Sequence, residues 1–230
     1  MLFLVDTNNK IIFGWSAKCA CSHIKNIYWF LQTDKLDTRI HTSKDNNNLP
    51  SDIQNYTTLI FCRNPYKRII SGFLDKYKKY GQFRHLWKHP TITFSNFVDE
   101  VIKNSRMIDK HHFTPQTTEK FNKKKLLLSK SIQFYDISNI DYKYIEKLYN
   151  KTIPKSVINK KQGHERSCHI KKDDNYNKYV YDLNMDEYID CNVNTKYFYN
   201  EEIKRKVFNY YINDFNLFNE NGIDYINEEI

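Results

Sequence analysis

Glycine and proline are scarce in this chain of 230 residues, with only five of each. Few positions punctuate the chain as they would in a loop-rich protein, and most of it is expected to be regular structure. Cysteine is equally sparse. Cys19, Cys21, Cys62, Cys168 and Cys191 are odd in number and follow no signal peptide, which excludes the disulfide framework of small secreted domains and leaves free thiols. Cys19 and Cys21 form a C-x-C pair, but no second close pair with ligand spacing follows, so no metal site is expected. No apolar run reaches membrane-spanning length, and Asp6 and Lys10 interrupt the first segment, so no transmembrane segment is expected and a soluble, cytoplasmic protein is. Internal repeats and low-complexity linkers are missing as well, and a single domain over residues 1–230 is the expectation.

What the chain does contain is 40% hydrophobic and 27% charged residues, the balance of a folded protein with a core, together with a formal net charge of +9. That charge points to an anionic partner, whether a phosphorylated small molecule, an acidic polysaccharide or nucleic acid. Basic runs such as Lys123 to Lys125 and Lys171 to Lys172 are read as solvated surface.

Lys10 to Trp15 is β-branched and aromatic, is bounded by the turn-prone Asp6-Thr7-Asn8-Asn9, and reads as a buried strand. It runs into Ser16-Ala17-Lys18-Cys19-Ala20-Cys21-Ser22, after which Ile24, Ile27, Tyr28 and Leu31 recur at helical spacing. The pattern repeats at Thr57 to Cys62, a strand, followed by a helix that Asn64 caps and Pro65 starts, with Ile69, Ile70, Phe73, Leu74 and Tyr77 inward. A third strand is expected at Ser131 to Ile137 with a helix from Asp141 to Tyr149, and further helices from Ser95 to Asn104 and from Asn200 to Asn219. Between Ile153 and Asn194 loops and short pieces are expected. Strands alternating with helices indicate an α/β protein with a central parallel sheet flanked by helices.

A loop between a buried strand and a helix N-terminus offers backbone N–H groups and the positive end of the helix dipole to an anion. Lys18 adds a full charge there and Ser22 a hydroxyl donor. The loop is not a Walker A loop, since the glycines of G-x-x-x-x-G-K-[ST] are missing. In the second unit Arg63 leaves the carboxyl end of a strand, where open α/β sheets bind ligands, and Ser71 lies eight residues on; both could meet one phosphate. The alternative is that Arg63, Lys67 and Arg68 merely solvate the helix surface, which explains Lys67 better than Arg63 at a strand's carboxyl end.

Together the two segments resemble the sulfotransferases that use 3'-phosphoadenosine 5'-phosphosulfate (PAPS), and among them the carbohydrate branch (Golgi-type, family 2). Ala17-Lys18-Cys19-Ala20-Cys21-Ser22-His23-Ile24-Lys25 is similar to the family's 5'-phosphosulfate loop, P-K-x-G-C-T-x-x-K. Cys62-Arg63-Asn64-Pro65-Tyr66-Lys67-Arg68-Ile69-Ile70-Ser71-Gly72-Phe73 is similar to its 3'-phosphate motif, R-[DEN]-P-x-x-R-x-x-S-x-[YF]. His112-Phe113-Thr114-Pro115-Gln116 resembles the H-[WF]-x-P-Q segment of the branch, and Phe198 to Phe218 its closing helix. Ala17 replaces the usual proline and Ala20 the usual glycine, so the backbone at Ala20 must either avoid positive φ or accept strain.

The resemblance implies a P-loop NTPase-like three-layer fold and transfer of a sulfuryl group from PAPS, without a metal, to a hydroxyl, that of a carbohydrate in this branch, releasing adenosine 3',5'-bisphosphate. It implies Lys18 at the bridging oxygen, stabilising the leaving phosphate. Cys19, Ala20, Cys21, Ser22 and His23 then belong to the cofactor-binding segment, and Arg63 and Ser71 hold the 3'-phosphate. His41, at the end of an expected strand Thr38 to His41, and His112 are the candidates for general base. Arg166 and Ser167 belong to a segment that closes over the nucleotide in this branch. The partners are thus a nucleotide donor and a sugar acceptor rather than nucleic acid. Two rivals are a degenerate P-loop nucleotide kinase and an inactive relative that binds an anionic glycan or nucleic acid.

Overall fold

The computed structural model describes residues 1–36, 48–77, 81–117, 123–159, 180–184 and 194–228. His41 with its expected strand, Arg166 and Ser167 lie outside the described residues. In chain order the elements are β1 (Leu2–Asp6), β2 (Ile11–Trp15), α1 (Cys21–Thr33), β3 (Thr57–Cys62), α2 (Pro65–Lys76), α3 (Phe94–Ile102), α4 (Lys110–Phe113), α5 (Lys123–Leu126), β4 (Ser131–Asp136), α6 (Tyr142–Tyr149), α7 (Lys155–Ile158), α8 (Glu201–Tyr210) and α9 (Ile212–Glu220). They fall into two compact units: Met1–Arg63, Gln116–Gly163 and Leu217–Ile223 in the first, Asn64–Pro115, His164–Asn216 and Asp224–Ile230 in the second.

The first unit is built on a four-stranded sheet of order β1-β2-β3-β4. Every residue of β2 and β3 is buried, as expected of parallel strands covered on both faces. The side-chain period of two then sorts them. Ile11, Phe13, Trp15, Leu59 and Phe61 cluster with Ile24, Ile27, Tyr28 and Leu31 of α1, Ile145 of α6 and Val157 of α7. Ile12 and Ile60 cluster with Met1, Phe3, Ile53, Tyr56 and Leu126 of α5. Phe134 of β4 meets the ring of Phe218 at 6.4 Å between centroids. This is the expected α/β, P-loop-like arrangement of helices against a central sheet.

The sheet is mixed rather than wholly parallel. β2, β3 and β4 run parallel, whereas β1 pairs antiparallel with β2, Leu2 opposite Trp15 and Asp6 opposite Ile11. The turn that joins them is held by Asp6, whose Oδ1 accepts the Asn8 and Asn9 amides at 3.0 Å each and whose Oδ2 accepts from the Asn9 side chain at 2.8 Å. An Asx-type turn between two apolar runs marks a hairpin; reading Asp6 to Asn9 as a mere boundary missed its first strand. In the parallel pairs Ile11 faces Thr57 and Gly14 faces Ile60, so β2 and β3 end side by side at one edge of the sheet.

In the second unit α2 starts as the sequence indicates: the Asn64 side chain accepts the Tyr66 amide at 2.9 Å and Pro65 takes the first helical position. Its apolar face joins an aromatic cluster in which Phe73 lies 4.8 Å from Phe97 and Tyr77 5.8 Å from Phe113, ring centre to ring centre. The helix expected over Asn200 to Asn219 is two, α8 and α9. At Tyr211 the backbone leaves helical geometry (φ −102°, ψ 19°), and the buried hydroxyl donates to the Phe113 carbonyl at 2.6 Å. Satisfying that phenol outweighs continuing the helix. Among the described residues no helix is long and apolar enough to cross a membrane.

Gly72 shows how tightly this cluster is packed. A Cβ there would stand 2.5 and 2.7 Å from two atoms of the Phe113 ring, which is itself buried. Gly72→Ala is therefore expected to lower the free energy of unfolding by about 1–3 kcal/mol through overpacking. Urea denaturation of the variant measures this, and Gly72→Ala with Phe113→Leu should recover part of the loss.

Candidate functional site

Because β2 and β3 end together, whatever follows one strand lies beside whatever follows the other. After Trp15 the chain turns at once, the Cys19 amide donating to the Ser16 carbonyl at 3.1 Å. Lys18 (φ 66°) and Ala20 (φ 51°, ψ 33°) both adopt the left-handed conformation. Of the two alternatives open to Ala20, the loop takes the strained one, at about 1–2 kcal/mol for each non-glycine residue. Ala20 is the N-cap of α1 and brings no side-chain acceptor to the helix start, while its carbonyl accepts the Ile24 amide at 3.0 Å. Ser22 follows at the second helical position, buried.

The strained loop is held from outside. Ala17 and Cys19 are buried, and the Cys19 thiol donates to Gln116 Oε1 at 2.9 Å. The same oxygen accepts the Arg63 amide at 3.2 Å, and Gln116 Nε2 donates to the Arg63 carbonyl at 2.9 Å. Arg63 completes the circuit: its Nη1 donates to the Lys18 carbonyl at 3.0 Å. A guanidinium and the lysine-bearing loop thus sit together at the carboxyl edge of the sheet, both anchored on one fully buried amide. A cationic group, a left-handed loop and a helix N-terminus without a side-chain cap are what an anionic phosphate or sulfate requires of its surroundings.

His23, third in α1, pairs through Nε2 with the Tyr142 hydroxyl at 2.8 Å, the rings edge to face at 6.0 Å. Burial pushes its imidazole below the ordinary 6.5. Lys25, the last residue of the loop motif, is buried with its Nζ 4.3 Å from the centre of the Trp15 ring, a cation–π contact.

Lys18, Cys19, Ala20, Cys21, Ser22, His23 and Arg63 all belong to the first unit. Ser71 is buried on α2 of the second unit. His112 lies on α4 of that unit with Nδ1 engaged by Asp109, the residue that caps α4. Burial works to raise the Asp109 carboxyl, but the hydrogen bond and charge of His112 outweigh it and hold the group below its usual range. Two residues were passed over in the sequence. Gln116 was visible only as the last letter of the H-F-x-P-Q resemblance, and nothing local shows that its amide turns toward Arg63. Arg68, for which surface solvation was the alternative reading, is 2% exposed and donates from Nη1 to the Thr114 carbonyl at 2.8 Å; its place as the second arginine of the R-[DEN]-P-x-x-R resemblance was the available signal.

Relief of the strain at the N-cap should be measurable. Ala20→Gly is expected to stabilise the protein by about 0.5–1 kcal/mol, the left-handed penalty removed less the extra unfolded-state entropy of glycine. Ala20→Val should destabilise it, and thermal unfolding of the two variants provides the comparison.

No curated protein and no solved structure matches the chain. The sequence profile described as Sulfotransferase family matches residues 1–219, which include the β2–α1 loop, Arg63, Ser71 and Gln116. With nearly the whole chain under that profile, the protein belongs to the sulfotransferase family.

Proposed function

We propose that the protein transfers a sulfuryl group from PAPS to a hydroxyl of a carbohydrate and releases adenosine 3',5'-bisphosphate. The observation that carries this reading is the hydrogen bond from Arg63 to the carbonyl of Lys18, which joins the two segments that resemble the 3'-phosphate and 5'-phosphosulfate motifs. Family membership supplies sulfuryl transfer in general; the donor and acceptor classes rest on the motif resemblance.

In this reading each group has one task. The backbone of Cys19 to Ser22 and the Ser22 hydroxyl hold the 5'-phosphosulfate at the start of α1. Lys18 stabilises the charge that develops on the bridging oxygen as the sulfur–oxygen bond breaks, an electrostatic contribution that needs no metal. Arg63 recognises the 3'-phosphate, with Ser71 as the second donor that the motif implies, and so distinguishes PAPS from ATP. Gln116 keeps Arg63 and the loop in register. Arg166 and Ser167 are proposed to close over the nucleotide, and His41 and His112 are the bases that the motif resemblance offers. One domain, acting in the cytoplasm, is the proposed setting.

The test is calorimetric titration of the full chain with adenosine 3',5'-bisphosphate, ADP and AMP. Preference for the 3'-phosphorylated nucleotide is expected, and Arg63→Ala should weaken it by roughly 10- to 100-fold, the loss of charge-assisted hydrogen bonds. Equal binding of all three nucleotides would sink the PAPS assignment.

Lys18→Ala should leave bisphosphate binding within a few-fold, while release of bisphosphate from PAPS, with heparosan and chondroitin as acceptors, falls about 10³-fold. Undiminished turnover would remove Lys18 from the mechanism.

A further inference from the structure

Transfer to a hydroxyl needs a group that takes its proton, and the loop and Arg63 belong to the first unit. Among the described residues of the first unit the only histidine is His23. It stands on the first turn of α1, directly after the strained loop, and is half-buried rather than sealed in the core. Its contact is specific: Nε2 lies 2.8 Å from the hydroxyl of Tyr142, the first residue of α6, whose ring meets the imidazole edge to face. α6 is itself fixed at this end, since Asp141 Oδ1 accepts the Tyr144 amide at 3.0 Å.

We propose that His23, with its Nε2–H donated to the Tyr142 oxygen, is the catalytic base of the transfer and takes the acceptor proton at Nδ1. The proposal rests on the sulfotransfer reading of the preceding subsection. A neutral imidazole carries one N–H, and which nitrogen bears it is set by the partner of the other. With the phenol oxygen accepting from Nε2, the lone pair stays on Nδ1. When Nδ1 gains a proton, Nε2 keeps the same hydrogen bond, so the ring changes charge without turning. Tyr142 is in this sense a positioning residue.

The step balances. The acceptor oxygen forms a bond to sulfur, and the bond from sulfur to the bridging phosphate oxygen breaks. Its electron pair leaves with adenosine 3',5'-bisphosphate, whose new charge Lys18 stabilises. The acceptor proton passes to His23 Nδ1 and from there to solvent. Burial keeps the imidazole unprotonated near neutral pH, and the group that packs on it from α6 is an uncharged phenol whose own ionisation burial pushes up. Protonation at lower pH removes the base, so the rate should fall on the acid side with a midpoint below 6.5, the ordinary histidine value.

Two measurements on the full chain decide it. Imidazole ¹⁵N NMR should find His23 as the Nε2–H tautomer, with a titration midpoint below the ordinary value that rises when adenosine 3',5'-bisphosphate binds nearby. Tyr142→Phe should convert that single tautomer into a mixture. In turnover of PAPS with heparosan, chondroitin and water as acceptors, His23→Gln should cut bisphosphate release by about 10²- to 10⁴-fold and abolish the acid limb, while the dissociation constant of the bisphosphate changes far less, by no more than a few-fold. A proton on Nδ1 in the wild type, or a His23→Gln variant that keeps its rate and acid limb, overturns the proposal. Loss of nucleotide binding equal to the loss of rate also overturns it, since His23 would then be a binding residue. A wild type that fails to bind the bisphosphate at all instead brings down the PAPS reading on which this one depends.

Discussion

Everything at the candidate site depends on the parallel pairing of β2 with β3. The register that sets Gly14 opposite Ile60 decides that Trp15 and Cys62 finish next to each other, and with them the residues that follow. A one-residue slip would turn the alternate side chains of β2 to the opposite face. Ile11, Phe13 and Trp15 would then leave α1 and its apolar row, which makes the register a property of the core rather than of the site. The Arg63 to Lys18 hydrogen bond is a consequence of this pairing, and the two segments, 45 positions apart, meet because of it.

Held strain is the second theme. Two left-handed non-glycine residues within a loop of five would be costly in isolation. The loop keeps them because Cys19 is buried against Gln116, because Arg63 engages the Lys18 carbonyl, and because α1 is committed to the core by Ile24, Ile27 and Leu31. The result is a backbone whose shape is set before any ligand arrives, which is how a binding site avoids an ordering penalty at the moment of binding.

Much of this was legible in the sequence. Thr57 to Cys62 is a strand with the expected ends, Asn64 and Pro65 open α2, and the alternation of strand and helix announced the α/β class, because apolar periodicity and capping are local signals. The misses share a cause. β1 pairs through a turn whose meaning depends on Asp6 folding back onto its own backbone. The break at Tyr211 depends on a carbonyl at Phe113, 98 positions away. Gln116, likewise, matters only through partners brought near by the tertiary fold. Long-range polar satisfaction leaves no periodic trace, so the loop and Arg63 could be named from the sequence while the role of Gln116 in uniting them could not.

The placement of Gln116 has a topological consequence. Arg63 is the last residue before the chain departs from the first unit, and Gln116 is the first on its return. The Gln116 side chain accepts from the Arg63 amide and donates to the Arg63 carbonyl across 53 positions, so the excursion from Asn64 to Pro115 begins and ends at a single knot. For a flexible segment the entropy of such closure grows only with the logarithm of its length. Lengthening a surface loop of the excursion would therefore add little closure cost at the knot, and the Arg63–Lys18 junction would stay as it is.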